Sequence, residues 1–212
     1  MAITRDDIVA WLKAYAQKIA DEKDYLTELD SAIGDADHGA NMHRGFQAVL
    51  NKLPDIEDQP ISKILKTVGM TLISKVGGAG GPLYGTFFIQ AASPLDGKTE
   101  LTLSDWADAV ESGTAGVISR GKASLGDKTM VDALKPAVDA LKTAVAEDET
   151  IETGLEKSAK AAEEGMIATI PLVARKGRAS YLGERSAGHQ DPGATSSFYL
   201  LETAYEVWKN NV

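Results

Sequence analysis

Cysteine is absent from the 212-residue chain, which excludes disulfides, thiolate zinc sites and cysteine nucleophiles. Histidine is scarce: only His38, His43 and His189 occur, and none has an H-E-x-x-H or related zinc spacing. Positive charge is also short. Lys and Arg number 22 against 31 Asp and Glu, giving a net charge of -9 and a pI near 4.9. An acidic surface repels nucleic acid and anionic membranes, so neither is expected as a partner. A phosphate-bearing small ligand remains compatible if a divalent cation mediates. No apolar run approaches the roughly 18 residues of a membrane span, and Met1 to Asp7 leads straight into an amphipathic segment rather than a secretory leader. A soluble, cytoplasmic protein is the expectation. Nucleotide-binding signatures of the common kind are missing too. Neither glycine-rich segment completes G-x-G-x-x-G, and Gly116–Ala123 has Walker A spacing but ends on Ala123 where Ser or Thr is needed, with no strand before it.

What is present is helical periodicity. A chain of this length can bury about 70% of its unfolded surface in one core. Ile8, Trp11, Leu12, Tyr15 and Ile19 mark a helix over 4–30, opened by Thr4 with Asp7 in an acidic capping box. Further helices fit 38–53, ending before Pro54; 61–75, after Pro60; about 80–93; 102–120, opened by Thr102 and Asp105; 129–146, with Pro136 as a kink; and 150–174, with Pro171 near the end. An eighth starts with Asp191 as N-cap and Pro192 as first residue and runs to about 210. No strand alternation or internal repeat is visible. The expected fold is all-α: one domain over 1–212, a bundle of about eight amphipathic helices.

The loops carry the chemistry. Four of them concentrate Gly with charged residues: Ile33–Asn41, Val76–Pro82, Ser119–Met130 and Ala174–Gly193. A bundle needs only short polar turns, so glycine recurring at helix ends suggests a rim where backbone approaches a polar ligand. Asp30, Asp35 and Asp37 would not all share a face on one continuous helix. Gly34 interrupts it and lets the three carboxylates converge on a hard cation. About three carboxylate charges and about four on ATP are largely offset by two Mg²⁺ rather than one. The alternative is a solvated acidic turn. Gly77, Gly78, Gly80 and Gly81 before a helix suit an anion at its N-terminus, or a tight turn for close packing. Lys128, Arg175, Lys176, Arg178 and Arg185 could offset phosphate charge, although each singly reads as solvated surface charge. His38 and His189 sit in polar loops as phosphate contacts or, less simply, phosphohistidine carriers; His43 reads as structural or exposed.

In order and spacing, residues 29–46 (LDSAIGDADHGANMHRGF), 69–88 (GMTLISKVGGAGGPLYGTFF), 116–130 (GVISRGKASLGDKTM) and 174–196 (ARKGRASYLGERSAGHQDPGATS) resemble the L-subunit family of dihydroxyacetone kinases over essentially the whole chain. The resemblance implies an antiparallel barrel of eight helices with a nucleotide at one end. It implies Asp30, Asp35 and Asp37 as ligands of two Mg²⁺ ions, and a phosphate-binding turn at His38, Gly39, Ala40 and Asn41. It places Gly78, Ala79 and Gly80 in a glycine loop, Gly121 and Met130 on the adenine side, and Arg178, Asp191, Pro192 and Gly193 at the remaining contacts. Arg178 is the candidate for charge stabilisation. Gly80 stands where relatives commonly have Ser. A separate L chain implies the phosphotransferase-dependent (phosphoenolpyruvate–glycerone) system, inactive without partners. A K subunit holds dihydroxyacetone, and an M subunit rephosphorylates a tightly bound ADP from a phosphohistidine; in the other branch ATP exchanges. A transcriptional regulator and a second copy of the chain are further candidate partners. The alternatives are an L-type domain serving another polyol or tetrulose, and a nucleotide-sensing regulatory partner.

Overall fold

Capping chemistry sets most of the helix boundaries. The computed structural model describes residues 2–209. In it, Thr4 and Thr102 each accept a hydrogen bond from the backbone N–H three residues on, while Asp7 and Asp105 bond back to the cap N–H. These two capping boxes open α1 (Arg5–Asp21) and α6 (Leu103–Gly121). Between and after them lie α2 (Lys23–Ile33), α3 (His38–Lys52), α4 (Ile61–Lys75), α5 (Gly80–Ala91), α7 (Val131–Ala146), α8 (Ile151–Ala168) and α9 (Pro192–Trp208). Asp191 caps α9 through its bond from Ala194 N–H, with Pro192 at the first position.

Four details depart from the sequence expectation. The helix expected over 4–30 breaks at Glu22 (φ −94°, ψ 8°) into α1 and α2, without any Gly or Pro to signal it. α8 stops at Ala168 rather than 174, since Pro171 cannot continue a helix. α7 runs unbroken through Pro136. Proline there cannot donate to Asp132 O, and Gly165 of α8 packs on that carbonyl: a Cβ at Gly165 would lie 2.1 Å from it. Finally, Ile3–Thr4 (β1) and Glu100–Leu101 (β2) form a two-residue antiparallel pair, too short to show alternation. The expected end of the last helix near 210 reaches beyond the described residues.

Each helix packs on the next, through connections that are short except for the long segment 169–191 between α8 and α9, and α9 closes on α1 and α2. With α1 and α2 as one broken stave, the result is an antiparallel barrel of eight staves. This up-and-down order puts the C-terminal ends of α2, α4, α6 and α8 at the same end as the starts of α3, α5, α7 and α9. The opposite end is filled by Trp11, Trp106 and Trp208, with ring centroids 4.9–5.6 Å apart. The indole N–H groups of Trp11 and Trp208 donate to Leu200 O and Asp7 O, both at 2.9 Å, which satisfies two buried donors. No helix among the described residues is long and apolar enough to cross a membrane.

Candidate functional site

The α2–α3 corner assembles the acidic group. Asp30 lies in the last turn of α2, and Gly34 ends that helix. A Cβ at Gly34 would sit 2.1 Å from Asp30 Oδ1, so only glycine leaves that carboxylate its place. Asp30 Oδ2 accepts from the N–H groups of Asp37 (2.8 Å) and His38 (3.1 Å). Two orphan donors at the start of α3 are thereby satisfied, and one carboxylate oxygen is fixed in orientation. Ala36 takes a positive φ of 60° and turns the chain so that Asp35 and Asp37 come back toward Asp30. One ligand oxygen from each of the three lies within 4.8 Å of the others. Arg178 answers part of this charge through a bond of 3.0 Å to Asp35. Oxygen-only donors at this spacing fit a hard divalent cation and no soft one.

A cleft of about 500 Å³ opens beside the three carboxylates, within the range of small-molecule sites. His38, Asn41, Gly78, Ala79, Gly80, Gly121, Met130, Arg178, Asp191, Pro192 and Gly193 all line it together with Asp30, Asp35 and Asp37. Gly39 and Ala40 do not. Gly39 is buried in the α2–α3 contact, where a Cβ would meet Lys23 O at 2.0 Å and Thr27 Oγ1 at 2.5 Å. Ala40 is exposed on the first turn of α3. Asn41 is held by Arg44, which donates to its Oδ1 at 2.6 Å and to Lys75 O at 3.0 Å, tying α3 to the end of α4. Away from the carboxylates the wall is apolar: Val76, Leu83, Val117, Ala123, Met130 and Val131. This slot suits a flat ring system; the resemblance implied Met130 for it, and Val76 and Ala123 fall in the glycine-rich loops, whereas Leu83, Val117 and Val131 read as ordinary helix core.

The basic loop residues separate into three kinds. Arg178 and Lys176 line the cleft, joined by Arg120 of α6. Arg175 and Arg185 are exposed and do not line it. Lys128 corrects the reading of solvated charge: it is 1% exposed, and its ammonium donates to the carbonyls of Thr169 (2.8 Å), Leu172 (3.1 Å), Ile170 (3.3 Å) and His189. Burial lowers its pKa from the ordinary lysine value, against the pull of Asp191.

Beneath the cleft runs a polar chain that sequence reasoning missed. His38 Nε2 is 2.8 Å from Ser196 Oγ, which is 2.7 Å from the Tyr84 hydroxyl; that hydroxyl is 3.0 Å from Ser197 Oγ. The one available signal was a Ser-Ser pair inside an otherwise apolar helix. Burial lowers the pKa of His38 despite Asp30 and Asp37 nearby, and burial raises Tyr84 to about 12. His189, in contrast, is exposed and contributes its carbonyl rather than its ring. His43 is half-buried, with Nδ1 lacking a partner. Asp191 is pushed up to about 7 by burial, with Asp132 and Asp30 adding to the shift while Ala194 N–H and Lys128 oppose it.

Known proteins resemble this chain along nearly its full length. A family model described as the DAK2 domain matches residues 32–206. The chain is 50% identical to the ADP-binding subunit DhaL of the PEP-dependent dihydroxyacetone kinase of Escherichia coli (strain K12), over 95% of this chain and 96% of that protein. It is 45% identical to the ADP-binding subunit DhaL of the PTS-dependent dihydroxyacetone kinase of Lactococcus lactis, over 97% and 98%. Among solved structures it resembles the dihydroxyacetone kinase from C. freundii in complex with AMP-PNP and Mg²⁺, with a TM-score of 0.71 and 24% identity. The match covers 94% of this chain and only 33% of that one, and at that identity the likeness speaks for the fold.

Proposed function

The chain belongs to the DAK2-domain family of dihydroxyacetone kinase subunits, and from that premise we propose that it holds a Mg²⁺–nucleotide complex at the glycine-rich end of its barrel. The observation that carries this reading is the convergence of Asp30, Asp35 and Asp37 at the mouth of a cleft whose far wall is apolar. Carboxylates that close repel one another unless a cation lies between them. In this reading 1–212 is a single nucleotide-binding unit in the cytoplasm, with ADP or ATP as its nucleotide.

The work of the chain is positioning, which is most of what phosphoryl transfer asks of a protein. Asp30, with Oδ2 fixed by two N–H groups, presents Oδ1; Asp35 and Asp37 complete the set for two Mg²⁺. When bound, the metal would screen the phosphate oxygens and draw charge from the transferring group. The N-terminal ends of α3, α5 and α9 border the phosphates, α3 through the side chains of His38 and Asn41, α5 through the backbone N–H groups of Gly78–Gly80 and α9 through that of Gly193 in the turn Asp191–Gly193. Arg178 leaves Asp35 to meet the charge of the transferring phosphoryl. Met130 and Gly121 border the slot for the base. The acceptor, dihydroxyacetone, is held by a partner K subunit. ADP stays in place and is rephosphorylated from a phosphohistidine on a partner M subunit. Tyr181 (88% exposed) and Leu125 (60% exposed), on two segments that rim the cleft, suit such partner contacts.

Reconstitution tests the proposal. The purified chain, mixed with K and M partners, phosphoenolpyruvate and the general phosphotransferase proteins, is expected to convert dihydroxyacetone to its phosphate. Omission of the chain should abolish product. Bound Mg-ADP with no product would sink the kinase reading and favour a nucleotide-sensing role; product from erythrulose alone would favour another substrate.

A further inference from the structure

The geometry points to Lys128 as the residue that sets the cleft's three separate walls in register. It acts as a positioning residue: it borders the cleft, but its ammonium is held in a cage of four backbone carbonyls. The inference rests on the reading of the cleft as the nucleotide site and assigns a residue that acts on it through its walls.

Three segments meet at this one nitrogen. The first is the loop 122–130, which carries Met130. Asp132 accepts from Gly126 N–H (2.5 Å) and Thr129 N–H (2.7 Å), and Asp127 accepts from Ser124 N–H (2.8 Å). The loop is thus tied on both sides of Lys128. The second is the segment after α8, which leads to Arg178. The carbonyls of Thr169, Ile170 and Leu172 converge on the ammonium, and Arg175 N–H donates to Asp127 O at 3.0 Å. The third is the turn at 189–193, through His189 O. There Asp191 N–H also donates to Thr169 Oγ1 at 3.0 Å, so the cage and the α9 cap share a residue.

Three facts make this more than packing. Backbone carbonyls carry partial negative charge and attract a cation, and four around one centre resemble the coordination of a monovalent metal ion. A neutral side chain would take the donor from the carbonyls of Leu172 and His189, while Thr169 O and Ile170 O would keep only the N–H groups of Leu172 (3.2 Å) and Gly188 (2.8 Å). Lys128 also has a positive φ of 63°, a conformation that costs a non-glycine residue free energy and persists where the surroundings impose it. Nor does the ammonium serve an ion pair: among the described residues no carboxylate comes within salt-bridge distance of it, and its partners are all backbone. The side chain spans from the Met130 wall to the Asp191 and Arg178 walls, which otherwise belong to different staves.

Lys128→Ala and Lys128→Met test this. Mg-ADP affinity is measured by calorimetry, and helix content without nucleotide by circular dichroism. Both variants are expected to keep their helices and to bind Mg-ADP more weakly by about 10- to 100-fold, the scale for loss of an outer support. Lys128→Ala retains Cβ and lacks the atoms that n-propylammonium would replace. That amine is expected to restore most of its affinity, while Lys128→Met, whose side chain fills the space, stays weak. Tetramethylammonium, which has no N–H, should rescue neither. Wild-type affinity in both variants would overturn the assignment. So would absence of rescue, or failure of both variants to fold, which would make Lys128 a requirement of the whole barrel. If the wild-type chain itself failed to bind Mg-ADP, the nucleotide reading would fall instead.

Discussion

At one end of the barrel three tryptophans meet with centroids 4.9–5.6 Å apart and two of their indole N–H groups satisfied. At the other, the space between the same staves is left open and bordered by backbone. All described residues with positive φ except Gly97 and Asp148 lie in loops of that second end, Ala36, Gly78 and Lys128 among them. Large apolar side chains fill volume and supply stability. Strained or glycine turns fill none and bring N–H groups and carboxylates to a ligand. One fold therefore separates the two tasks along its axis, and substitutions at the two ends should fail in different ways.

The widest separation is expected between Trp106→Ala and Asp37→Ala. Trp106 is 2% exposed and contacts both other tryptophans; its truncation should cost about 3–5 kcal/mol of stability and leave Mg-ADP affinity of the folded fraction unchanged. Asp37 makes no side-chain cap bond to α3, so Asp37→Ala should hardly move the denaturation midpoint. It should abolish retention of Mg-ADP through gel filtration. Urea titration and nucleotide analysis of the same samples check both. Equal loss of stability in the two variants would erase the division of labour.

Gly34→Ala probes whether the acidic corner can be disturbed by a single methyl. The Cβ would press on Asp30 Oδ1, 2.1 Å away. Asp30 must then move, leaving the N–H groups of Asp37 and His38 with a displaced acceptor at a cost of about 1–3 kcal/mol. Mg²⁺-dependent ADP binding should fall with it. A crystal structure with Asp30 unmoved, or unchanged binding, would remove Gly34 from the site's design.

How far the sequence reached differs between the two ends as well. Capping boxes at Thr4–Asp7 and Thr102–Asp105, and the Asp191–Pro192 start, are local patterns, and the structure has them where they were expected. Convergence of the three Asp was legible because Gly34 forces a break between them. The break at Glu22 was not legible, since no residue there disfavours helix. Lys128 was misjudged for a physical reason: a lysine in a polar loop is usually solvated, and its four carbonyl partners come from segments 41 to 61 residues away. The Tyr84–Ser196–His38 chain escaped for the same reason, as its members meet only across three staves. Local chemistry could be read along the chain; satisfied burial of polar groups could not.

Asp191→Asn separates capping from charge. Asn caps a helix about as well as Asp, so the change removes only the buried titration. In the folded chain Asp191 holds its proton up to about 7, whereas unfolded it ionises near the ordinary carboxylate value of about 4. Folding therefore takes up a proton in between, and the Asp chain loses stability as pH rises through that window, with the full cost present above about 7. Without nucleotide, the midpoint of Asp191→Asn relative to the parent should rise from pH 5 to pH 8, by about 2–4 °C for each kcal/mol. A constant difference across that range would mean that Asp191 titrates normally. The tryptophan end offers no such lever, because among the described residues the buried Asp side chains, Asp30, Asp127, Asp132 and Asp191, all lie at the open end.

The smallest effect is expected at Gly80, the first residue of α5. Its φ is not positive, and a Cβ there would meet only Val76 Cγ1 at 3.3 Å and Met42 Sδ at 3.9 Å, so a side chain is tolerated with a slight shift of Val76. Gly80→Ser would place a hydroxyl at a helix N-terminus that already lines the cleft, adding one hydrogen bond to a phosphate oxygen. A net gain of about 0.5–1.5 kcal/mol for one bond corresponds to roughly two- to tenfold tighter Mg-ADP, read by calorimetry or as slower release of labelled nucleotide. Unchanged affinity would mean that backbone N–H groups already saturate the phosphate at this turn, and that a glycine here costs the site nothing. Weaker affinity would mean that the 3.3 Å contact with Val76 moves the turn itself, which would make the open end less forgiving of added side-chain volume than its loops suggest.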